Sequence, residues 1–444
     1  MKKYDRRSFL QSSSTLLAGA GMVSGMPIGS RAASIIGANE TVTVGVIGCN
    51  GMGFSDLKAH LALPNVSCAA LCDVDANVLE KRAAEVAQMT GKNPQTYGDY
   101  RKMLEQKDID AVIIGTPDHW HCLTMIDACE AGKDVYVEKP IANSIEECNL
   151  MVKAGERYNK IVQVGQWQRS DEHWARALAY VKSGKLGKIR LVKAWAYMGW
   201  MKEIPKKPDQ PNPPPGVDYK MWLGPAPDRP FNKNRFHFKF RWFWDYAGGL
   251  MTDWGVHLID MVLSGMDATA PNSVMASGGK FAYPNDAAET PDTMQAVYEF
   301  DDFSMLWEHA VGIDGGPYGR SHGVAFIGNL GTLVVDRNQW EVIPETENGA
   351  YKTEALPVQP GQGKSGLDKH AENFISSIKT REKPVCSIEV GRLAAVNAQL
   401  GNIALKTGQK VYWDKQNGTF KDNEQANALL KASYHGQWKL PTIG

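Results

Sequence analysis

The stretch Thr41-Val-Thr-Val-Gly-Val-Ile-Gly-Cys-Asn-Gly-Met-Gly53 decides the fold. Its first half is a run of β-branched residues with little polarity, the pattern of a strand buried on both faces. Its second half places Gly48, Gly51 and Gly53 within six residues. Glycine permits a sharp turn out of the strand and lets a pyrophosphate approach the N-terminus of the next helix, whose free N–H groups attract anions. The usual spacing is G-x-G-x-x-G. Here Asn50 stands where the second glycine would be, with Gly51 beside it, and Asn tolerates left-handed backbone better than most residues. Helical spacing follows over 54–63, then a second apolar strand over 66–72 that ends on Asp73. Asp73 lies 25 positions beyond Gly48, close to the ~20 at which a ribose-binding carboxylate is expected. Gly48, Asn50, Gly51, Met52, Gly53 and Asp73 are therefore candidate dinucleotide contacts. Asp75 adds a second acid, and the nearest bases, Lys81 and Arg82, lie well into the next helix. Two carboxylates would repel a 2′-phosphate, so the reading favours NAD over NADP.

Working outward, strand-like runs at 110–115, 134–137 and 161–164 alternate with helical ones at 75–89, 119–131 and 144–158. The last begins with Ser144 and Glu147 in capping-box spacing. Strands that alternate with helices imply a doubly wound parallel sheet, because parallel pairing needs crossover helices. The nucleotide-binding domain is expected over 34–165. Beyond Gly165 the pattern changes. A long strand at 188–200 precedes a segment, 205–230, that holds nine of the 23 prolines and reads as a fixed-shape loop. After a helix at 250–263, strand-like runs follow one another from 273 to 343 without helices, as in an antiparallel sheet. Helices at 367–379 and 387–406 and a polar tail at 415–444 complete the chain. The expected class is α/β: a Rossmann domain and a second α/β domain over 166–414 with a mostly antiparallel sheet, whose final helices have the option of packing back on the first.

The 444 residues carry 49 basic and 49 acidic side chains. That balance, with 43% hydrophobic residues, excludes a disordered chain and argues against a dedicated nucleic-acid binder, which needs basic excess. Seven cysteines, an odd and sparse set, do not make a disulfide scaffold. Residues 1–33 differ from the rest. Arg6-Arg7-Ser8-Phe9-Leu10, a mild Gly/Ala-rich apolar stretch and Ser30-Arg31-Ala32-Ala33 describe a cleavable twin-arginine leader. The apolar stretch is short and broken by glycines, so no stable membrane anchor is expected. The leader carries Lys2, Lys3, Arg6, Arg7 and Arg31 against Asp5, so its removal leaves a mildly acidic protein. This predicts engagement with the twin-arginine export machinery and a periplasmic or other extracytoplasmic location.

Thr116-Pro117-Asp118-His119-Trp120-His121 after one strand and Glu138-Lys139-Pro140 after the next, together with the glycine turn, resemble the Gfo/Idh/MocA oxidoreductase family. Asp253-Trp-Gly-Val-His257 resembles that family's D-x-x-x-H active-site helix, and His370-Ala-Glu-Asn-Phe374 with Pro384 its C-terminal helix and turn. The resemblance spans roughly 41–413. It implies a Rossmann domain followed by an α/β domain with a large open sheet, and a nicotinamide site formed with Thr116, Pro117, His121, Glu138 and Lys139. It also implies that Lys139 touches substrate and nicotinamide ribose, and that Asp253 and His257 act beside it on sugars, cyclitols or related compounds.

The residues carry a chemical argument of their own. A secondary alcohol releases hydride only if its hydroxyl proton also leaves, which calls for a base near working pH. Asp253 and His257 are spaced to share one helix face, and a nearby lysine lowers the pKa of a hydroxyl. His257 is read as proton acceptor, with Lys139 and Asp253 orienting and polarising, and Lys139 remains the alternative base. His119 and His121 point to different helix faces and lack further ligands, so no metal is expected. Eight aromatics in 231–246, interleaved with Arg241 and Asp245, suit either a sugar-stacking wall or a core belt. Arg241, Trp242, Asp245, Tyr246 and Trp254, with Gln166 and Arg169 in the turn after the 161–164 strand, are the candidate substrate contacts.

The chain therefore reads as an exported NAD(P)-dependent oxidoreductase of a sugar or glycoside, its cofactor tightly bound because no soluble pool exists outside the cytoplasm, and as a homo-oligomer. The alternatives are a redox-neutral glycoside hydrolase that oxidises, eliminates, adds water and reduces, and a non-catalytic carbohydrate-binding protein. The histidine–glycine motif associated with the family's N-acetylgalactosaminidase branch is missing.

Overall fold

The computed structural model describes residues 41–361 and 366–443; the expected leader lies outside them. In the first sheet, β1 (Val42–Ile47), β2 (Val66–Cys72), β3 (Gln95–Tyr97), β4 (Ala111–Ile114), β5 (Asp134–Val137) and β6 (Val162–Val164) run parallel in the order β3-β2-β1-β4-β5-β6. Val44, Val46 and all of β4 and β5 are buried, as strands covered on both faces must be. The crossovers are α1 (Gly51–Leu61), α2 (Ala76–Thr90), α3 (Tyr100–Leu104), α4 (Asp118–Glu130) and α5 (Ile145–Arg157). Ser144 caps α5: its Oγ accepts from Glu147 N at 3.2 Å and donates to Glu147 Oε2 at 2.8 Å. The short β3 and α3 are not expected from the sequence, since three residues are too few to show a period.

Helix α6 (Glu172–Lys182) leads into a second sheet. It is built from β7 (Ile189–Met198), β8 (Ser273–Gly279), β9 (Thr293–Glu299), β10 (Ser304–Val311), β11 (His322–Gly328), β12 (Gly331–Val335) and β13 (Gln339–Pro344). A small ribbon, β14 (Thr346–Glu347) with β15 (Ala350–Tyr351), precedes the edge strand β16 (Leu356–Pro360), and β17 (Val411–Asp414) and β18 (Thr419–Phe420) extend the opposite edge. Every pairing in this ten-stranded sheet is antiparallel except β7 with β10. The expected α/β class is the observed one.

The proline-rich segment contains one short helix, α7 (Tyr219–Leu223), where Asp218 caps Met221 N at 2.9 Å. The helix expected over 250–263 is two: α8 (Gly249–Asp253) and α9 (Gly255–Gly265), which meet at Trp254. Helix α9 and α11 (Ile388–Thr407) pack on the inner face of the large sheet, and α10 (Gly366–Thr380) packs on α1 of the first domain. The final helices do return to the nucleotide domain: Gln163 Nε2 donates to His370 O at 2.7 Å, and Arg381 pairs with Asp134 at 2.6 Å. Nor is the end of the chain a loose polar extension. After α12 (Glu424–Ala428), Tyr434 donates to the buried Glu147 at 2.8 Å, and Trp438 packs edge-on against Trp120 at 4.9 Å. All seven cysteines are unpaired, six of them buried. No helix among the described residues is long and apolar enough to cross a membrane.

Candidate active site

The carboxyl ends of β1, β2, β4 and β5 open into a cavity of about 930 Å³, closed on its far side by residues 167, 237–241, 253–257 and 337. Ligands bind in α/β sheets at this end of the strands.

At the nucleotide end, Gly48 has φ +83°, and a Cβ there would lie 2.7 Å from the Gly115 carbonyl carbon and the Thr116 nitrogen. Asn50 takes the second-glycine position with extended backbone (φ −98°) and caps α1, its Oδ1 accepting from Gly51 N at 3.0 Å. Gly51 and Met52 face the cavity at the helix N-terminus. Gly53 does not line it. A Cβ there would meet Gly48 O at 2.2 Å, so this glycine seats helix on strand. Asp73 lines the cavity, held by Cys49 N at 2.9 Å and Asp75 N at 3.0 Å. Asp75 is turned away to cap α2, accepting from Asn77 N at 3.0 Å, and lies 3.0 Å from His237 Nε2. One carboxylate, not two, therefore faces the ribose end. Arg82, although well into α2, reaches Asn50 Oδ1 at 3.4 Å, but Glu85 neutralises it at 2.6 Å. The glycine cradle, the exposed helix N-terminus and Asp73 without an unpaired base beside it fit NAD.

Thr116, Pro117, Glu138 and Lys139 line the middle of the cavity. His121 ties these two loops together: Nδ1 lies 2.7 Å from Pro140 O and Nε2 2.8 Å from Thr116 O. His119 points away, its Nε2 3.1 Å from Trp222 O. Burial pushes both histidines down to about 4. Burial also raises Asp118 to about 8, against the pull of Arg241, and Glu138 to about 7, against the pull of Lys139. Among the described residues, no group of three or more His, Cys, Asp or Glu side chains is placed to hold a metal ion.

Lys139 Nζ donates to Asp253 Oδ1 at 2.9 Å and to Asp253 O at 2.8 Å, and Arg241 Nε reaches the same Oδ1 at 3.2 Å. Burial opposes ionisation of Asp253, but the two cations outweigh it and hold the carboxyl down at about 2. His257 is buried in the cavity wall, and its Nδ1 has no hydrogen-bond partner among the described residues. The expected sharing of a helix face by Asp253 and His257 is corrected here. The helix breaks at Trp254 between them, and the cations take up the aspartate. Burial first, and then the charges of Lys139 and Arg337, push His257 well below its ordinary range, so it is neutral but a weaker base than the near-neutral one the sequence calls for.

The aromatic segment divides between the two roles open to it. A 3₁₀ turn, His237–Trp242, presents His237, Phe238, Phe240 and Arg241 to the cavity, and Trp254 joins them. Trp242, Asp245 and Tyr246 do not line it. Trp242 is buried, with its carbonyl bonded to Glu289 N at 2.8 Å; Asp245 pairs with Arg229 at 2.6 Å; Tyr246 is fully buried against Trp222. Gln166 and Arg169 are also structural. Gln166 donates to Val256 O at 3.2 Å, and Arg169 grips Asp260 with two bonds of 2.7 Å. Trp167 occupies the position expected of its neighbours. Arg337 was not foreseen: it follows a strand far along the chain, and nothing local marks it.

Residues 42–166 match the description "Oxidoreductase family, NAD-binding Rossmann fold" and residues 192–440 "Oxidoreductase family, C-terminal alpha/beta domain", the two halves of Gfo/Idh/MocA proteins. A glycosyl hydrolase family 109 protein of Shewanella sp. strain W3-18-1 is 35% identical over 38% of this chain and 38% of its own. An alpha-N-acetylgalactosaminidase of Shewanella oneidensis is 32% identical over 43% and 45%. The chain thus spans about two fifths of the length of the curated relatives it matches. The fold is that of levoglucosan dehydrogenase, solved with NADH and levoglucosan, at TM-score 0.62 and 20% identity over 84% of this chain and 99% of the other. The two domains, the glycine turn and the Lys139 step belong together: the chain is a member of the Gfo/Idh/MocA oxidoreductase family, with an NAD-binding Rossmann domain.

Proposed function

We propose that this protein exchanges hydride between a tightly bound nicotinamide and a secondary alcohol of a sugar or glycoside. The observation that carries the reading is one cavity that joins the glycine turn and Asp73 to Lys139, Asp253 and His257. Gly48, Asn50–Met52 and Asp73 would hold the dinucleotide, and bound NAD supplies the hydride acceptor. Neutral His257 takes the hydroxyl proton on its imidazole ring. Lys139, fixed by Asp253, polarises the hydroxyl oxygen, and Phe238, Trp254 and Trp167 line the cavity beside it. The Arg6-Arg7 leader supports twin-arginine export with the cofactor already inside. A second copy is proposed to cover the outer face of the large sheet, where Leu191, Met275, Val297 and Tyr412 are exposed.

A hydrolytic, redox-neutral outcome is the second reading, favoured by the printed names of the curated relatives. One experiment separates the two. The purified protein is denatured and the released dinucleotide identified; native protein is then incubated with a panel of glycosides. A keto-sugar with reduced nicotinamide supports the oxidoreductase, and hydrolysis without net redox the second reading. No dinucleotide and no turnover would leave neither standing.

A further inference from the structure

One of the three cations lining the cavity lacks an ion pair among the described residues. Lys139 and Arg241 share Asp253. Arg337, on the turn between β12 and β13, has no such partner: among the described residues no carboxylate lies within ion-pair distance, and its printed hydrogen bond is Nε to Gln168 Oε1 at 3.1 Å. Two acids, Asp253 and Asp171, act on Arg337 from beyond ion-pair distance. Asp253 is taken by the two cations above, and Asp171 sits against Gly366 at the start of α10. His257 and His322, which also feel Arg337, are neutral.

The guanidinium is nonetheless held firmly. Its carbon lies 4.7 Å from the Trp167 ring centroid and 4.3 Å from that of Trp254. It is therefore a flat cation held against two indoles, which favours its burial. Arg337 lines the cavity that also contains Lys139 and His257, and its hydrogen bond to Gln168 uses Nε, so Nη1 and Nη2 have no side-chain bond among the described residues. An isolated buried charge is costly, and a guanidinium edge matches a carboxylate in geometry and sign.

Resting on the oxidoreductase reading above, we propose that the sugar taken by this site carries a carboxylate, as a uronic acid residue does, and that Arg337 binds it through Nη1 and Nη2. The site then discriminates by charge. A neutral sugar leaves the guanidinium unpaired, and rejection of an analogue that lacks the paired group follows.

The test uses the full chain loaded with NADH and matched pairs of methyl uronides and methyl hexosides of the gluco, galacto and manno series. Binding is measured by calorimetry, and turnover separately by nicotinamide absorbance with the oxidised cofactor. In at least one pair the uronide should bind about tenfold or more tighter than its neutral partner. Arg337→Met should collapse that ratio to about one, and Arg337→Lys should keep part of it because charge survives without the fork. Retained NADH binding verifies that the variants are folded. Equal affinity within every pair, no uronide binding at all, or a ratio unchanged in Arg337→Met overturns the proposal. A uronide that binds through Arg337 but never changes nicotinamide absorbance leaves the anion site standing and sinks the oxidoreductase reading. Neutral sugars oxidised without uronide preference do the reverse.

Discussion

Lys139 is clamped twice by Asp253, 2.9 Å to the carboxylate and 2.8 Å to the backbone carbonyl, so a lysine of the nucleotide domain is fixed by an aspartate of the sheet domain. Its ammonium is aimed only when the two domains dock. Asp253→Asn keeps the shape and removes the charge that neutralises Lys139 and Arg241. Turnover should fall about 10²–10⁴-fold, the range of a displaced acid–base group, with bound NAD retained. Stability should fall as well, by ~3–5 kcal/mol if the orphaned cations stay buried. Wild-type turnover in this variant would show that Lys139 needs no such clamp.

His257 gives a prediction about acidity. Its pKa lies well below the ordinary histidine value because it is buried beside Lys139, Arg337 and His322. It is therefore unprotonated across neutral pH, and the profile of kcat/KM against pH should show no acid limb near the ordinary value of ~6.5. His257→Ala should lower turnover by about 10²–10⁴-fold while the dinucleotide stays bound. A limb near 6.5 that disappears in His257→Ala would mean that the ring titrates normally and that the neutral acceptor is wrong.

Asp118 predicts a pH effect on stability. It is buried at the start of α4, and burial raises it to about 8. The folded protein therefore holds a proton that the unfolded chain releases above ~3.9. Wherever the native state binds more protons, stability falls as pH rises. Stability from this group is complete below ~3.9 and is lost progressively up to about pH 8. Asp118→Asn removes that dependence. Melting temperatures of the two proteins, compared between pH 5 and 8, should diverge as pH rises, with the variant losing less. Parallel curves would show that Asp118 is ionised throughout.

What the sequence made legible follows from physical range. The strand–turn–helix at 42–61 is local: alternation, glycines and a cap lie within twenty residues, so sheet type and dinucleotide end can be read from it. Lys139 and Asp253 were legible through family motifs, although their mutual clamp spans 114 positions. The aromatic segment showed composition but not direction. A 3₁₀ turn with His237 at φ +50° rotates Phe238, Phe240 and Arg241 toward the cavity and leaves Trp242 to the core. Asp245 and Arg169 looked like free polar groups because Arg229 and Asp260, their partners, come from 16 and 91 positions away. Arg337 and the tail at Tyr434 had no local signal, since tertiary contact alone gives each its place.

The glycine turn supplies the last prediction, because its two inner glycines do different work. Gly53 has no room. An added Cβ would sit 2.2 Å from Gly48 O and 3.2 Å from Gly115 Cα, both backbone atoms that cannot step aside. Gly53→Ala should push the N-terminus of α1 away from β1 and β4, at a cost of ~1–3 kcal/mol or more, and strip the protein of bound dinucleotide. Gly51 has the opposite problem. Nothing lies within 4 Å of its missing Cβ, but its φ is +51°. Within the protein Gly51→Asn meets only the left-handed strain, about 1 kcal/mol, which Asn bears better than most residues, so its fold should survive even if the new side chain crowds the pyrophosphate. Dinucleotide released per chain on denaturation, with melting temperature, should separate the two variants clearly. If Gly53→Ala retained a full complement of NAD, the close seating of α1 on the strand would not be what forms the pyrophosphate site.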